Sequence, residues 1–205
     1  MLGGQRSGKS RRAEQLARDW LAQSPHHKAV LIATGTAGDV EMHQRIARHQ
    51  QDRRDRVPGM ATVEEPIEIA SAIEKHSTPQ TMVVVDCLTL WLTNLLMPPE
   101  MPSELVDEAS DKNCTPVGNF PKNVLKVPLA HDIRAQSAPF FIAIKNAPGP
   151  VVVVGNEIGL GVVPLGEQTR AFVDALGRLN QDTASACERV VLMAAGLPLF
   201  LKGKP

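Results

Sequence analysis

The amino-acid sequence predicts an α/β fold: a mostly parallel sheet with helices on both faces and an antiparallel edge at the C-terminal end. Two observations carry this. Short apolar runs rich in β-branched residues lie at 29–33, 82–85 and 151–154, continuous enough for strands buried on both faces. Amphipathic helical stretches separate them, and strands alternating with helices make a parallel sheet. The 205 residues, 43% hydrophobic and 21% charged, suit one folded domain over 1–205. Lysines and arginines balance aspartates and glutamates at 22 each, so no global basic field exists for nucleic acid and any anion site must be local. Cys87, Cys114 and Cys187 form no C-x-x-C pair, which suits a reducing compartment and predicts a cytoplasmic protein. The apolar stretch 190–201 is shorter than the ~20 residues of a membrane span, and no signal-peptide pattern precedes Gly3.

In chain order, 10–21 predicts a helix, with Ala13, Leu16, Ala17, Trp20 and Leu21 on one face. The strand at 29–33 stops at Thr34-Gly35, and helices are predicted over 39–54 and 66–76. The strand at 82–85 ends in Asp86, and a helix beginning near Leu88 carries Trp91 and Leu95 into the core. Nine of the sixteen prolines fall in 97–150, which predicts an irregular surface excursion without regular secondary structure. The strand at 151–154 precedes Gly155-Asn156, and a helix follows over 167–187. Apolar segments at 189–194 and 199–202, around Gly196 and Pro198, predict a closing hairpin or antiparallel edge strand.

The segment Gly3-Gly4-Gln5-Arg6-Ser7-Gly8-Lys9-Ser10 fits G-x-x-x-x-G-K-[ST] and opens the first helix. Glycines let backbone N–H groups curl around phosphate oxygens, a lysine here reaches the β and γ phosphates, and a serine here holds Mg²⁺. The expected fold is therefore P-loop NTPase-like, with Lys9 as a catalytic residue. Such a loop ordinarily follows a buried strand, and the expectation is that the natural chain starts earlier, with an apolar strand ahead of Met1.

Glu41, Arg45, His49 and Arg53 follow at steps of four and line one helix stripe beside Met42 and Ile46. Spacing alone leaves two readings open, a solvated face of mixed charge or the border of a cleft. In the second, flanking arginines bias His49 toward neutral, nucleophilic imidazole. Asp86 closes an apolar strand, where a metal-oriented carboxylate belongs, although strands also end in aspartate without function.

Together the motifs resemble the bifunctional adenosylcobinamide kinase/adenosylcobinamide-phosphate guanylyltransferase family of cobalamin biosynthesis. The resemblance rests on the phosphate loop with Arg11, Ala13 and Glu14, on Ile32-Ala33-Thr34, and on Glu41-Met42 with Arg45-Ile46-Ala47-Arg48-His49. It continues through Thr62-Val63-Glu64-Glu65-Pro66, Asp86-Cys87-Leu88-Thr89, Thr93-Asn94-Leu95-Leu96, residues 156–164, and Arg170 with Phe172, Asp174, Gly177, Asn180 and Gln181. About three quarters of the chain is covered.

The resemblance implies two reactions, phosphorylation of adenosylcobinamide and then transfer of GMP from GTP to give adenosylcobinamide-GDP. It implies that His49 is the residue guanylylated. It maps nucleotide contacts onto Gly3, Gly4, Gln5, Arg6, Ser7, Gly8, Lys9 and Ser10, onto Ala33, Thr34 and Gly35, onto Gln50, Gln51, Asp52 and Arg53, and onto Glu64 and Asp86. Mg²⁺ would sit at Ser10 and Asp86, with GTP, and ATP as an alternative donor, as substrates. A homo-oligomer, commonly a trimer, is implied as well. Two other readings compete: a different P-loop small-molecule kinase in which His49 is only an ion-pair residue, and an inert nucleotide-binding module. Gly159 and Gly161 suggest a loop approaching a ligand or a purely structural turn.

Overall fold

A computed structural model describes residues 1–36, 40–97, 130–162 and 165–204; within it, several side chains of the second helix and of the start of the fifth lie outside the description. The elements are β1 (Leu2–Gly3), α1 (Lys9–Gln23), β2 (Lys28–Ala33), α2 (Val40–Arg56), β3 (Met60–Glu64), α3 (Ile69–His76) and β4 (Thr81–Asp86). They continue as α4 (Leu88–Leu96), α5 (Ala130–Asn146), β5 (Val151–Val154), α6 (Glu167–Ala186), β6 (Val190–Ala194) and β7 (Leu197–Lys202).

Ladder pairing gives two runs, β3-β2-β4-β5 and β1-β6-β7, parallel throughout except for the β6–β7 hairpin. Backbone bonds join them into one surface. The Met1 amino group donates to the Val153 carbonyl, Gly155 N–H to Met1 O at 2.9 Å, and Glu157 N–H to Gly3 O at 2.9 Å. That slanted pattern is a parallel ladder, and the order across the molecule is β3-β2-β4-β5-β1-β6-β7.

Successive strand residues feed opposite layers. Ile32, Val83, Val85 and Val153 face one core with Ile69 and Ile73 of α3, Leu88, Trp91 and Leu92 of α4, Phe140 of α5 and Leu176 and Leu179 of α6. Ala29, Leu31, Met82, Val84 and Val154 face the other, where Ala13 and Ala17 let α1 lie close to the sheet. Both faces are covered, as the continuous apolar runs predict.

Two expectations are corrected. Residues 130–146 form α5, not part of an irregular excursion, with Pro139 inside the helix. An interior proline costs about 3 kcal/mol; here full burial of Phe140 and near-full burial of Ile133 and Ala143 offset it. Pro148 and Pro150 lie just before β5, and residues 98–129 of the excursion lie outside the described residues. The helix expected over 66–76 begins at Ile69 instead, because Glu65 Oε1 accepts the backbone N–H groups of Ile67 (3.0 Å) and Glu68 (2.8 Å) in a turn before it. The edge strand β3 has no counterpart among the sequence-derived elements, since most of its residues are exposed and no apolar run marks it.

Candidate active site

The C-terminal ends of the parallel strands form one rim, where α/β sheets place their ligands. From β1 the chain turns through residues 4–8 into α1. Arg6 at φ 56° and Gly8 at φ 97° hold the left-handed conformations of that turn. Ser7 N–H donates to Gly4 O at 3.2 Å, and Gly196 N–H of the β6–β7 turn donates to Ser7 O at 3.1 Å. A side chain at Gly8 would approach the Gly196 Cα to 3.3 Å, so the hairpin turn braces the loop from outside. Lys9, 7% exposed, folds back so that Nζ donates to Gly4 O at 2.7 Å, with Ser7 Oγ at 3.5 Å. Burial pulls its pKa below the ordinary value, against the opposing influence of Cys87 and Asp86. A buried ammonium whose nearest acceptor is a loop carbonyl is poised to exchange it for phosphate oxygens.

Asp86 ends β4, and the Asp86–Cys87 peptide is cis. Beside it Thr34, fully buried, cross-links β2 to β4: its N–H donates to Asp86 O at 3.1 Å, its Oγ1 donates to Cys87 O at 2.7 Å, and it accepts Cys87 N–H at 2.8 Å. Asn94 of α4, 5% exposed, extends the network. Its Nδ2 donates to Thr34 O (2.7 Å) and Pro66 O (3.1 Å), while its Oδ1 accepts from Thr36 Oγ1 at 3.3 Å. Residues 33–36 are thereby held against α4, with Ala33, Thr34 and Gly35 at the rim.

Helix α2 leaves that segment and packs on α1 through Arg56, which bonds Glu14 and Asp52 at 3.0 Å each. One turn earlier the Arg53 guanidinium turns inward. Its Nε is buried without a partner among the described residues, and burial lowers its pKa against the attraction of Asp86 and Glu14. Arginine stays charged regardless, so a cation is held near the strand ends with donor capacity unspent. His49 lies one turn before Arg53 on the same stripe of α2; its side chain, like those of Glu41 and Arg45, falls outside the described residues.

The sequence-derived residues gather unevenly. Residues 3–10 and Asp86 lie at the β1–β4 part of the rim, and Arg53 comes within electrostatic reach of Asp86. Glu64 sits four strand spacings from β1, roughly 19 Å, and accepts from Gln50 Nε2 at 3.1 Å. Gln51 instead bonds Asp55 along its own helix at 3.2 Å, and Asp52 is taken by Arg56. Asn94 and Gly196, which shape the rim, were not singled out as site residues; asparagine and glycine in a fitting family motif or turn were the only signal.

A glycine loop wrapped onto a buried lysine at the first turn of a helix, with an aspartate two strands away, defines a P-loop nucleotide-binding enzyme. The family model for cobinamide kinase / cobinamide phosphate guanyltransferase matches residues 1–201. A bifunctional adenosylcobalamin biosynthesis protein CobP of Pseudomonas aeruginosa is 40% identical over 206 residues, covering 100% of this chain and 97% of that protein. A bifunctional adenosylcobalamin biosynthesis protein CobU of Escherichia coli is 32% identical, with 98% of each chain covered. The RadB recombinase crystal structure is similar at a TM-score of 0.42 and 14% identity, covering 93% of this chain and 71% of that one. The chain belongs to the cobinamide kinase / cobinamide phosphate guanyltransferase family, and is a bifunctional kinase and guanylyltransferase of cobalamin biosynthesis.

Proposed function

We propose that one rim serves both transfers and that His49 carries the guanylyl group between them. In the kinase half, a nucleoside triphosphate lies with its phosphates on residues 3–10, and the side-chain hydroxyl of adenosylcobinamide attacks the γ-phosphorus. In the second half, His49 imidazole attacks the α-phosphorus of GTP, pyrophosphate leaves, and the phosphate made in the first half takes GMP from the histidine. The single observation carrying this reading is Arg53. A half-buried guanidinium whose Nε is buried and unpartnered among the described residues, one turn from His49 and within the field of Asp86, is suited to receive phosphate oxygens as the bond to pyrophosphate breaks. Lys9 supplies the second cation. Residues 33–35 with Gln50–Glu64 form the distant end of the rim, where the base of the nucleotide is held; Gln51 and Asp52 contribute through the helix surface.

Among the described residues no group of three or more His, Cys, Asp or Glu side chains could cage a metal. Ser10 and Asp86 are two oxygen donors, a set that fits Mg²⁺ brought in with nucleotide phosphates. When bound there, the ion neutralises phosphate charge. No helix among the described residues is long and apolar enough to cross a membrane; we place the enzyme in the cytoplasm, assembled as a homo-oligomer, with a trimer the expected form.

Incubation with Mg²⁺ and GTP labelled at the α-phosphate tests the covalent step. Wild type should retain acid-labile, alkali-stable label after denaturation, and His49→Ala none. A folded, GTP-binding wild type that takes up no label would remove His49 from the mechanism and leave a simple kinase or an inert binding module.

A further inference from the structure

We propose that Glu157 is the general base of the kinase half, the carboxylate that receives the proton of the attacking hydroxyl; this rests on the kinase reading of the rim. The argument begins with strand order. β5 lies between β1, which delivers the glycine loop and Lys9, and β4, which ends in Asp86. A phosphate group shared between Lys9 and Asp86 must therefore stand over the tip of β5, one strand spacing of about 4.8 Å from each neighbour. Residues 155–157 form that tip.

The tip is tied to both neighbours. Glu157 N–H donates to Gly3 O at 2.9 Å, at the entrance to the glycine loop, and Asn156 N–H donates to Thr89 Oγ1 at 3.0 Å, in the first turn of α4 beyond Asp86. The Glu157 side chain is oriented from below by Asn180 of α6, 3% exposed, whose Nδ2 donates to Asn156 O at 3.0 Å and Glu157 Oε2 at 3.3 Å. The amide cannot be reversed, because its oxygen would then face a carbonyl and a carboxylate. Asn180 is a positioning residue, leaving Glu157 Oε1 without a hydrogen bond among the described residues.

Other carboxylates near the rim are committed. Glu14 is bonded to Arg56, Glu64 to Gln50, and Glu65 to two backbone N–H groups, while Asp86 is the metal-side carboxylate. Glu157 forms no ion pair among the described residues. In the step, the hydroxyl oxygen bonds the γ-phosphorus, the bridging P–O bond breaks, the nucleoside diphosphate leaves with that electron pair, and the proton passes to Glu157. The guanylyl half differs in chemistry: neutral imidazole attacks through a lone pair and has no proton to lose at that nitrogen. Glu157 thus serves one half-reaction and not the other.

The experiment uses the full chain as wild type, Glu157→Gln and Glu157→Asp. It reads γ-phosphate transfer to adenosylcobinamide and α-label uptake from GTP, with thermal stabilisation by GTP as the folding and binding control. Glu157→Gln is expected to lower kcat of phosphorylation about 10²–10⁴-fold, with nucleotide KM and label uptake within about twofold of wild type. Glu157→Asp is expected to recover part of the rate. Phosphorylation by the glutamine variant at the wild-type rate overturns the proposal, and so does parallel loss of both half-reactions, which would mark Glu157 as a structural tie. A wild type that phosphorylates without taking up label overturns His49 alone, and Glu157 is then decided by the glutamine variant's kcat. A wild type with neither activity ends both.

Discussion

Single residues at the rim act through what surrounds them. Lys9 is expensive to bury, and the Gly4 carbonyl offsets the cost only in part, so phosphate oxygens are the better partner for its ammonium. Cys87 beside Asp86 is the reverse case. Burial first, then the Asp86 charge, pushes its thiol up to about 11 from 9.0, against the hydrogen bonds of Leu90 and Thr89. The folded protein therefore keeps a proton that the unfolded chain has lost, and Cys87 lowers stability as pH rises from 9 toward about 11. Urea unfolding across that window should show a decline that Cys87→Ser lessens, and native Cys87 should resist alkylation at pH 8; rapid alkylation of the folded protein would refute its burial. The glycine loop was legible in sequence because its residues are contiguous and its chemistry is local. The bonds that Asn94 and Asn180 make were not, although both residues stand in the family motifs, since their partners lie 60 and 24 residues away.

Elements depend on close approaches that sequence hides. A Cβ on Gly149 would lie 2.0 Å from Thr78 O and 2.5 Å from Thr81 O, both backbone atoms of the turn leading into β4. Gly149→Ala must push β5 away from β4, beneath the rim, and should cost about 2–4 kcal/mol. Gly177 within α6 meets nothing inside 4 Å, and Gly177→Ala should instead stabilise by about 0.5–1 kcal/mol through helix propensity. Urea midpoints measured side by side test both signs; a neutral Gly149→Ala would mean the turns do not touch. The strands β2, β4 and β5 were legible because burial on both faces demands continuous apolar runs. β3 and α5 were not: an exposed edge needs no such run, and tertiary burial of Phe140 outweighs the local penalty of Pro139.

For the whole molecule, a ligand that binds only the folded state stabilises it by mass action. GTP with Mg²⁺ at a hundredfold excess over its Kd should add about 2.7 kcal/mol, or about 5–10 °C in Tm for a chain of this size. Lys9→Ala should lose most of that shift while unfolding near the wild-type temperature without nucleotide, since it removes a desolvated charge. An undiminished shift would place the phosphates elsewhere.

The sequence by itself determined the α/β class, the glycine loop, the strands buried on both faces and the family, because each is written in contiguous residues or in short motifs of definite spacing. Only the tertiary structure decided the strand order that sets β5 between Lys9 and Asp86, the inward turn of Arg53, and the bonds that bring residues 155–157 against Gly3 and Thr89. Those relations join segments as far apart as Gly3 and Glu157, 154 residues along the chain. They follow from how buried backbone donors and acceptors are satisfied across the assembled sheet, a condition on the folded whole that no local pattern encodes.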